Sequence, residues 1–147
     1  MSQACITNDE RARLLKAARN AVKHAYAPYS NFRVGAAVLT EKGSLFSGCN
    51  VENTSYGLTV CAEQVAIFSA IAQEGTNMRI RAIAVVSESG GECPPCGACR
   101  QVISEFGQNA IVIFQSLEGI EEMHISELLP RGFARGGGMK DQIEDTN

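Results

Sequence analysis

Ile80-Arg81-Ala82-Ile83-Ala84-Val85-Val86 and Ala110-Ile111-Val112-Ile113-Phe114 frame a stretch that runs from a Ser-, Gly- and Pro-rich segment at 87–95 to Cys96-Gly97-Ala98-Cys99-Arg100-Gln101 and on to Gly107. Two almost unbroken apolar runs of strand length read as strands buried on both faces. The segment starting near Cys96 and ending at Gly107 reads as a helix. A strand, a crossover helix and a second strand imply a parallel pair.

Upstream, Cys61 to about Gln73 is a second strong helix. Val65, Ala66, Phe68, Ala70 and Ile71 place apolar groups on most of its sides, which suits a central position. Thr59 is a candidate N-cap and Gly75 a candidate stop. Phe32–Thr40 and Ser44 to about Val51 read as a hairpin turning at Glu41-Lys42-Gly43. Residues 52–58 read as a loop. Asn8 to about Ala25 has Leu14, Leu15, Ala18, Ala21 and Val22 at helical spacing, with Thr7 and Glu10 in the form of a capping box and Pro28-Tyr29-Ser30-Asn31 as the turn after it. Ile125–Leu129 reads as a short helix stopped by Pro130. The order α-β-β-α-β-α-β-α predicts a mixed sheet with helices on both faces. No internal repeat or boundary divides it, so residues 1–135 are expected to form one domain, with 136–147 as a flexible C-terminal tail.

The 147 residues are 45% apolar and 20% charged, with a formal net charge of -3. That is ordinary for a soluble globular chain. Lys and Arg form no run, which weighs against a nucleic-acid partner. No window approaches the ~18 consecutive apolar residues of a membrane span. Met1–Glu10 has neither the basic start nor the apolar stretch of a secretory signal. A cytoplasmic location, and no membrane partner, are therefore expected. In a reducing compartment, clustered cysteines point to metal or reactivity rather than disulfides. Of Cys5, Cys49, Cys61, Cys93, Cys96 and Cys99, the last three fall within seven residues.

Thr59-Val60-Cys61-Ala62-Glu63 and Pro94-Pro95-Cys96-Gly97-Ala98-Cys99 each place a cysteine at the start of a predicted helix. Cys96 and Cys99 would face one point across a single turn, and Cys61 would add a third sulfur from a neighbouring helix. Three thiolates suit Zn²⁺ and leave its fourth position open, the pattern of a catalytic site. The partial positive charge of helix starts favours thiolates. Glu63, two residues after Cys61, would reach a water at that open position without being a ligand.

These segments resemble the small, homotetrameric, zinc-dependent cytidine deaminases of the three-Cys type. Beyond the metal motifs, Tyr29–Ala37 is similar to that family's first strand, Gly48–Gly57 to its ribose-binding segment, and Leu128-Leu129-Pro130 with Phe133 to its C-terminal end. The resemblance implies a three-layer α-β-α sandwich around a mixed five-stranded sheet. It implies that Cys61, Cys96 and Cys99 hold one Zn²⁺ per subunit and that Glu63 shuttles protons. Asn50 and Glu52 would bind ribose hydroxyls and Phe32 would line the base pocket, with the backbone of Ala62 and Cys96 orienting the base. Tyr56 and Phe133 would close pockets of neighbouring subunits in a homotetramer. The implied reaction is hydrolysis of cytidine or deoxycytidine to uridine or deoxyuridine and ammonia, by attack of zinc-bound hydroxide on C4, in pyrimidine salvage. One departure stands out. Many three-Cys members have Arg after the catalytic Glu, and this chain has Gln64. Arg100 and the helix dipoles are the other groups able to offset thiolate charge.

Other readings compete. Cys93 could join the three sulfurs in a closed Cys₄ centre, but Pro94 and Pro95 place it in extended chain before the helix. Cys5 and Cys49 read as incidental, and His24 and His124 as solvent-facing helix-end residues. Asn50 and Glu52 alone would be strand-end and loop residues; Phe32 alone would be core, and Phe133 a loosely packed tail residue. Gly136-Gly137-Gly138 lacks the strand and the Lys-Ser or Lys-Thr of a phosphate loop. Among functions, a cytosine-containing antibiotic nucleoside is an alternative substrate. A structural zinc module would leave Glu63 without a task, and a polynucleotide-editing enzyme would need a positive channel.

Overall fold

The computed structural model describes residues 5–134. Helix α1 (Asn8–Val22) starts at the expected capping box: the Thr7 hydroxyl accepts from the Glu10 N–H and the Glu10 carboxylate accepts from the Thr7 N–H. Strands β1 (Val34–Thr40) and β2 (Leu45–Cys49) form the expected antiparallel hairpin. A 3-10 turn (Tyr56–Leu58) precedes α2 (Ala62–Glu74), which stops at Gly75. Then come β3 (Ile80–Ser87), α3 (Gly97–Phe106), β4 (Ile111–Ser116), β5 (Gly119–His124) and α4 (Ile125–Leu128). The sheet order is β2-β1-β3-β4-β5. Only β3 and β4, the pair joined through α3, run parallel; β1 is antiparallel to β3, and β4 to β5.

The mixed five-stranded sheet lies between two helical layers, as the three-layer reading requires. Alternate residues of each strand divide the core. Ala37, Leu39, Ala82, Ala84, Val86, Ile111 and Ile113 meet Leu14, Ala18 and Val22 of α1. Ala36, Val38, Ile83, Val85 and Val112 meet the other layer through Ala66, Ile67 and Ala70 of α2 and Ile103 of α3. β1 and β3 are buried almost throughout, because both of their faces are covered.

Two expectations need correction. Element by element, the sequence shows four strands; the fifth is Gly119–His124. Its residues are mostly exposed and Glu121-Glu122 breaks the alternation, so it has no apolar signal. It forms because the β4 edge offers a ladder from Ile111↔His124 to Ser116↔Gly119. Thr59 is also not the N-cap of α2. Val60 pairs with Val51 in an antiparallel bridge, which keeps the chain extended through Cys61, so Cys61 takes the cap position (φ -72°, ψ 152°). The expected tail at 136–147 lies outside the described residues.

Two glycines set how close the helices come. A Cβ on Gly35 would lie 2.0 Å from the Ala18 carbonyl oxygen of α1, and one on Gly48 would lie 2.5 Å from the Ala66 nitrogen of α2. Both contacts are with helix backbone, which cannot swing aside. Gly48→Ala is expected to push the first two turns of α2 away from β2. The expected cost is about 2 kcal/mol or more, read as a lower urea midpoint, accompanied by lower zinc content.

Candidate active site

Cys61 and Cys96 hold equivalent places, each in extended backbone as the cap residue of a helix, with no side-chain cap hydrogen bond. Cys99 follows in the first turn of α3. A cap sulfur sits beside the amides that a helix start leaves unpaired and feels the positive end of the helix dipole. The three sulfurs lie within 4.8 Å of one another, and Cys96 and Cys99 are 3.4 Å apart. Tetrahedral zinc with Zn–S bonds of ~2.3 Å needs sulfurs about 3.8 Å apart, so the donor set fits that ion. The neighbouring Cys99 thiol holds Cys61 down to about 7, while Cys61 and burial hold Cys99 well up. A divalent cation displaces such protons. Cys99 is fully buried and Cys96 exposed, so the cluster opens to solvent on one side.

Glu63, in the first turn of α2, is 5% exposed. Burial raises its carboxyl pKa, against a hydrogen bond from Cys99. Cys93 is buried outside the sulfur cluster; its N–H donates to the Gln115 carbonyl, 2.8 Å away, and burial pushes its thiol up to about 12. Arg100 keeps its charge beside the cluster and has a structural task as well. Its Nε donates to the Pro95 carbonyl and its Nη1 to the Leu128 carbonyl, tying the approach to α3 to the end of α4. His24 is exposed and half-buried His124 caps α4; neither joins the cluster.

Most of the remaining candidates lie along 29–34 and 50–56. The Asn50 side chain is buried and used on both ends: Oδ1 accepts from the Val34 N–H and Nδ2 donates to the Phe32 carbonyl. Glu52 accepts from the Tyr29 and Ser30 N–H groups and from the Ser30 hydroxyl. These donors, the Ser30 hydroxyl first, hold its carboxyl below the usual range. Asn50 and Glu52 thus brace the segment that carries Phe32. Phe32 is not in β1 but ahead of it, 43% exposed rather than core. Tyr56, 74% exposed, touches Tyr29 edge-on with ring centres 5.8 Å apart. Ala62 opens α2, so its N–H is one of the amides without an intrahelical partner. Phe133 is pinned by its backbone to both ends of the Gln101 amide while its ring stays exposed. Sequence reading missed the bracing roles of Ser30 and Gln101; a serine inside a Pro-led turn is the one signal that pointed to the first.

Residues 8–115 match the cytidine and deoxycytidylate deaminase zinc-binding region. The chain belongs to this deaminase family. The deaminase shares 47% identity over 126 residues with a cytidine deaminase of Halalkalibacterium halodurans, covering 84% of this chain and 94% of that one. The structure of cytidine deaminase from Burkholderia pseudomallei superposes with a TM-score of 0.75 at 47% identity, covering 87% of this chain and all of that one. The Mycobacterium tuberculosis enzyme gives 0.76 at 38%, covering 85% and 98%. The five-stranded α/β fold expected from the resemblance is the fold of these proteins. The deaminase is a hydrolytic enzyme, and zinc is its cofactor. Among its described residues, no helix is long and apolar enough to cross a membrane.

Gln64 of the deaminase donates from Nε2 to the Cys99 sulfur at 3.6 Å. A divalent cation with three thiolates carries one net negative charge, which weakens it as a Lewis acid. A neutral amide offsets less of that charge than a guanidinium would, by about 1 kcal/mol. Gln64→Arg is therefore expected to keep one equivalent of zinc and raise kcat about fivefold. Equal rates and equal pH profiles for both proteins would show that this charge has no weight.

Proposed function

We propose that this chain hydrolyses cytidine and deoxycytidine to uridine and deoxyuridine with release of ammonia, as a step of pyrimidine salvage. One observation carries the reading: a buried carboxylate, Glu63, stands in the first turn of a helix whose cap sulfur converges with Cys96 and Cys99. Cys61, Cys96 and Cys99 hold the zinc. Bound there, zinc supplies the Lewis acidity that brings the pKa of water from ~15.7 toward ~7. Glu63 accepts a proton from the attacking water and passes it to the departing nitrogen, while the C–O bond at C4 forms and the C–N bond breaks. Its burial supports both halves of the task, since a raised carboxyl pKa makes it a better base and lets it hold the proton between steps.

Asn50 and Glu52 take the sugar hydroxyls, and Phe32 lines the base side. The N–H groups of Ala62 and Cys96, at two helix starts, orient the base. The half-exposed Phe32 and Tyr29, with the more exposed Tyr56, Leu58 and Phe133, leave more aromatic and apolar surface than a lone subunit benefits from. That supports a homotetramer in which Tyr56 and Phe133 close neighbouring pockets. Residues 1–135 act as one deaminase domain on a small nucleoside in the cytoplasm, without a nucleic-acid partner.

The direct test follows ammonia release and absorbance loss with zinc-loaded protein on cytidine, deoxycytidine and free cytosine. Turnover of both nucleosides, with cytosine far slower, is the expected result. No turnover of cytidine by protein containing one equivalent of zinc would overturn the reading. Light scattering on the same sample gives the subunit count.

A further inference from the structure

Glu52 is held on two sides. Its backbone N–H donates to the Tyr26 carbonyl at 2.8 Å beside the Tyr26–Val51 bridge, which fixes where the side chain starts. Its carboxylate reaches across to the turn after α1. There Oε1 accepts from the Tyr29 N–H at 2.9 Å and the Ser30 N–H at 3.1 Å, and Oε2 accepts from the Ser30 hydroxyl. The Ser30 oxygen in turn accepts from the Phe32 N–H at 3.0 Å. Asn31, between them, sits at φ 60°, the left-handed region that asparagine enters more readily than other residues with a Cβ, and so suits the turn. The Asn31 N–H closes on the Ala27 carbonyl at 3.0 Å.

The donor count assigns the roles. An ionised carboxylate has about four acceptor sites; three donors leave room on Oε2 for one more hydroxyl. Serine has a single O–H, and Ser30 directs it at Glu52, so Ser30 has no proton left to give a ligand. We propose that Ser30 is a positioning residue that locks the Glu52 carboxylate and the Phe32 backbone into one unit, thereby setting how strongly the site selects for sugar hydroxyls. The inference rests on the sugar-binding role proposed for Glu52. A carboxylate already aimed by three hydrogen bonds loses little freedom when it accepts a hydroxyl, and this preorganisation appears as selectivity.

The measurement is the ratio of kcat/KM on cytidine to kcat/KM on 2′,3′-dideoxycytidine, for wild type, Ser30→Ala, Ser30→Thr and Glu52→Gln, each with zinc content and thermal midpoint recorded. Ser30→Ala is expected to narrow the ratio about tenfold, chiefly through a higher KM for cytidine. Ser30→Thr, which keeps the hydroxyl, is expected to restore the ratio to within about twofold. A purely structural role would lower both substrates equally and leave the ratio alone. If Glu52→Gln collapses the ratio and Ser30→Ala does not, the Ser30 inference fails by itself. If Glu52→Gln also leaves the ratio intact, the sugar role of Glu52 falls, and the inference with it.

Discussion

Glu63→Ala is expected to keep a full equivalent of zinc and lose at least about 10⁴-fold in kcat on cytidine. The size follows from one group serving twice. Acid–base catalysis by a placed side chain contributes roughly 10²–10⁴-fold per transfer, and Glu63 takes part in both the removal of a proton from water and its return to nitrogen. No other described carboxylate is placed to replace it. Glu52 is committed to the turn at 29–30, and Glu74, which accepts from Thr40, sits at the far end of α2. Retention of zinc follows from the ligand geometry, because the three sulfurs need no contribution from Glu63. Glu63→Gln preserves the volume and separates loss of proton transfer from collapse around a cavity. Absorbance loss on cytidine and metal content by atomic absorption, on the same preparations, give the answer. Full turnover by either variant would remove Glu63 from the mechanism.

The second large effect concerns the metal. Cys99→Ser is expected to strip the site of zinc and abolish turnover, whereas Cys93→Ser leaves both within about twofold. A structural zinc site with four protein ligands is worth roughly 10–16 kcal/mol, so one ligand's share is about 2.5–4 kcal/mol, on the order of 10²–10³ in binding. Serine at 99 forfeits that share. Cys99 is also fully buried between the two helix starts, where water cannot take over the lost position at no cost. Cys93 differs in surroundings rather than chemistry. Burial keeps its thiol protonated, and it stands apart from the three sulfurs. Competition with a chromogenic chelator measures both affinities. Zinc loss in Cys93→Ser would mean a fourth sulfur in the site and no open position for catalysis.

Much of this was legible along the chain. The capping box at Thr7 and Glu10, the hairpin turn near Gly43, and the apolar runs of β3 and β4 are local signals, and each appears where expected. The cluster cysteines are legible for the same reason: Cys61 and Cys96 each cap a helix, and short spacing alone brings the Cys96 and Cys99 sulfurs together. What was not legible depends on partners distant in sequence. β5 has no apolar pattern and exists by pairing with β4. The cap of α2 moved from Thr59 to Cys61 because Val60 pairs with Val51. The charge of Arg100 next to Cys99 is legible in the chain, but its carbonyl partners are not, one of them being 28 residues away.

By itself, the order of residues determined the layered fold, the pairing of Cys96 with Cys99 across one helical turn and the acid two places after Cys61. Periodicity and the 3.6-residue helical turn act within a few positions of the chain, and those features need nothing more. Only the tertiary structure brought the Cys61 sulfur to Cys96 and Cys99, made Asn50 and Glu52 braces for the turn before β1, and aimed the one proton of Ser30 at Glu52. A hydrogen bond needs two groups within about 3 Å, and a spacing of 22 residues along the chain does not specify a distance until the sheet has assembled.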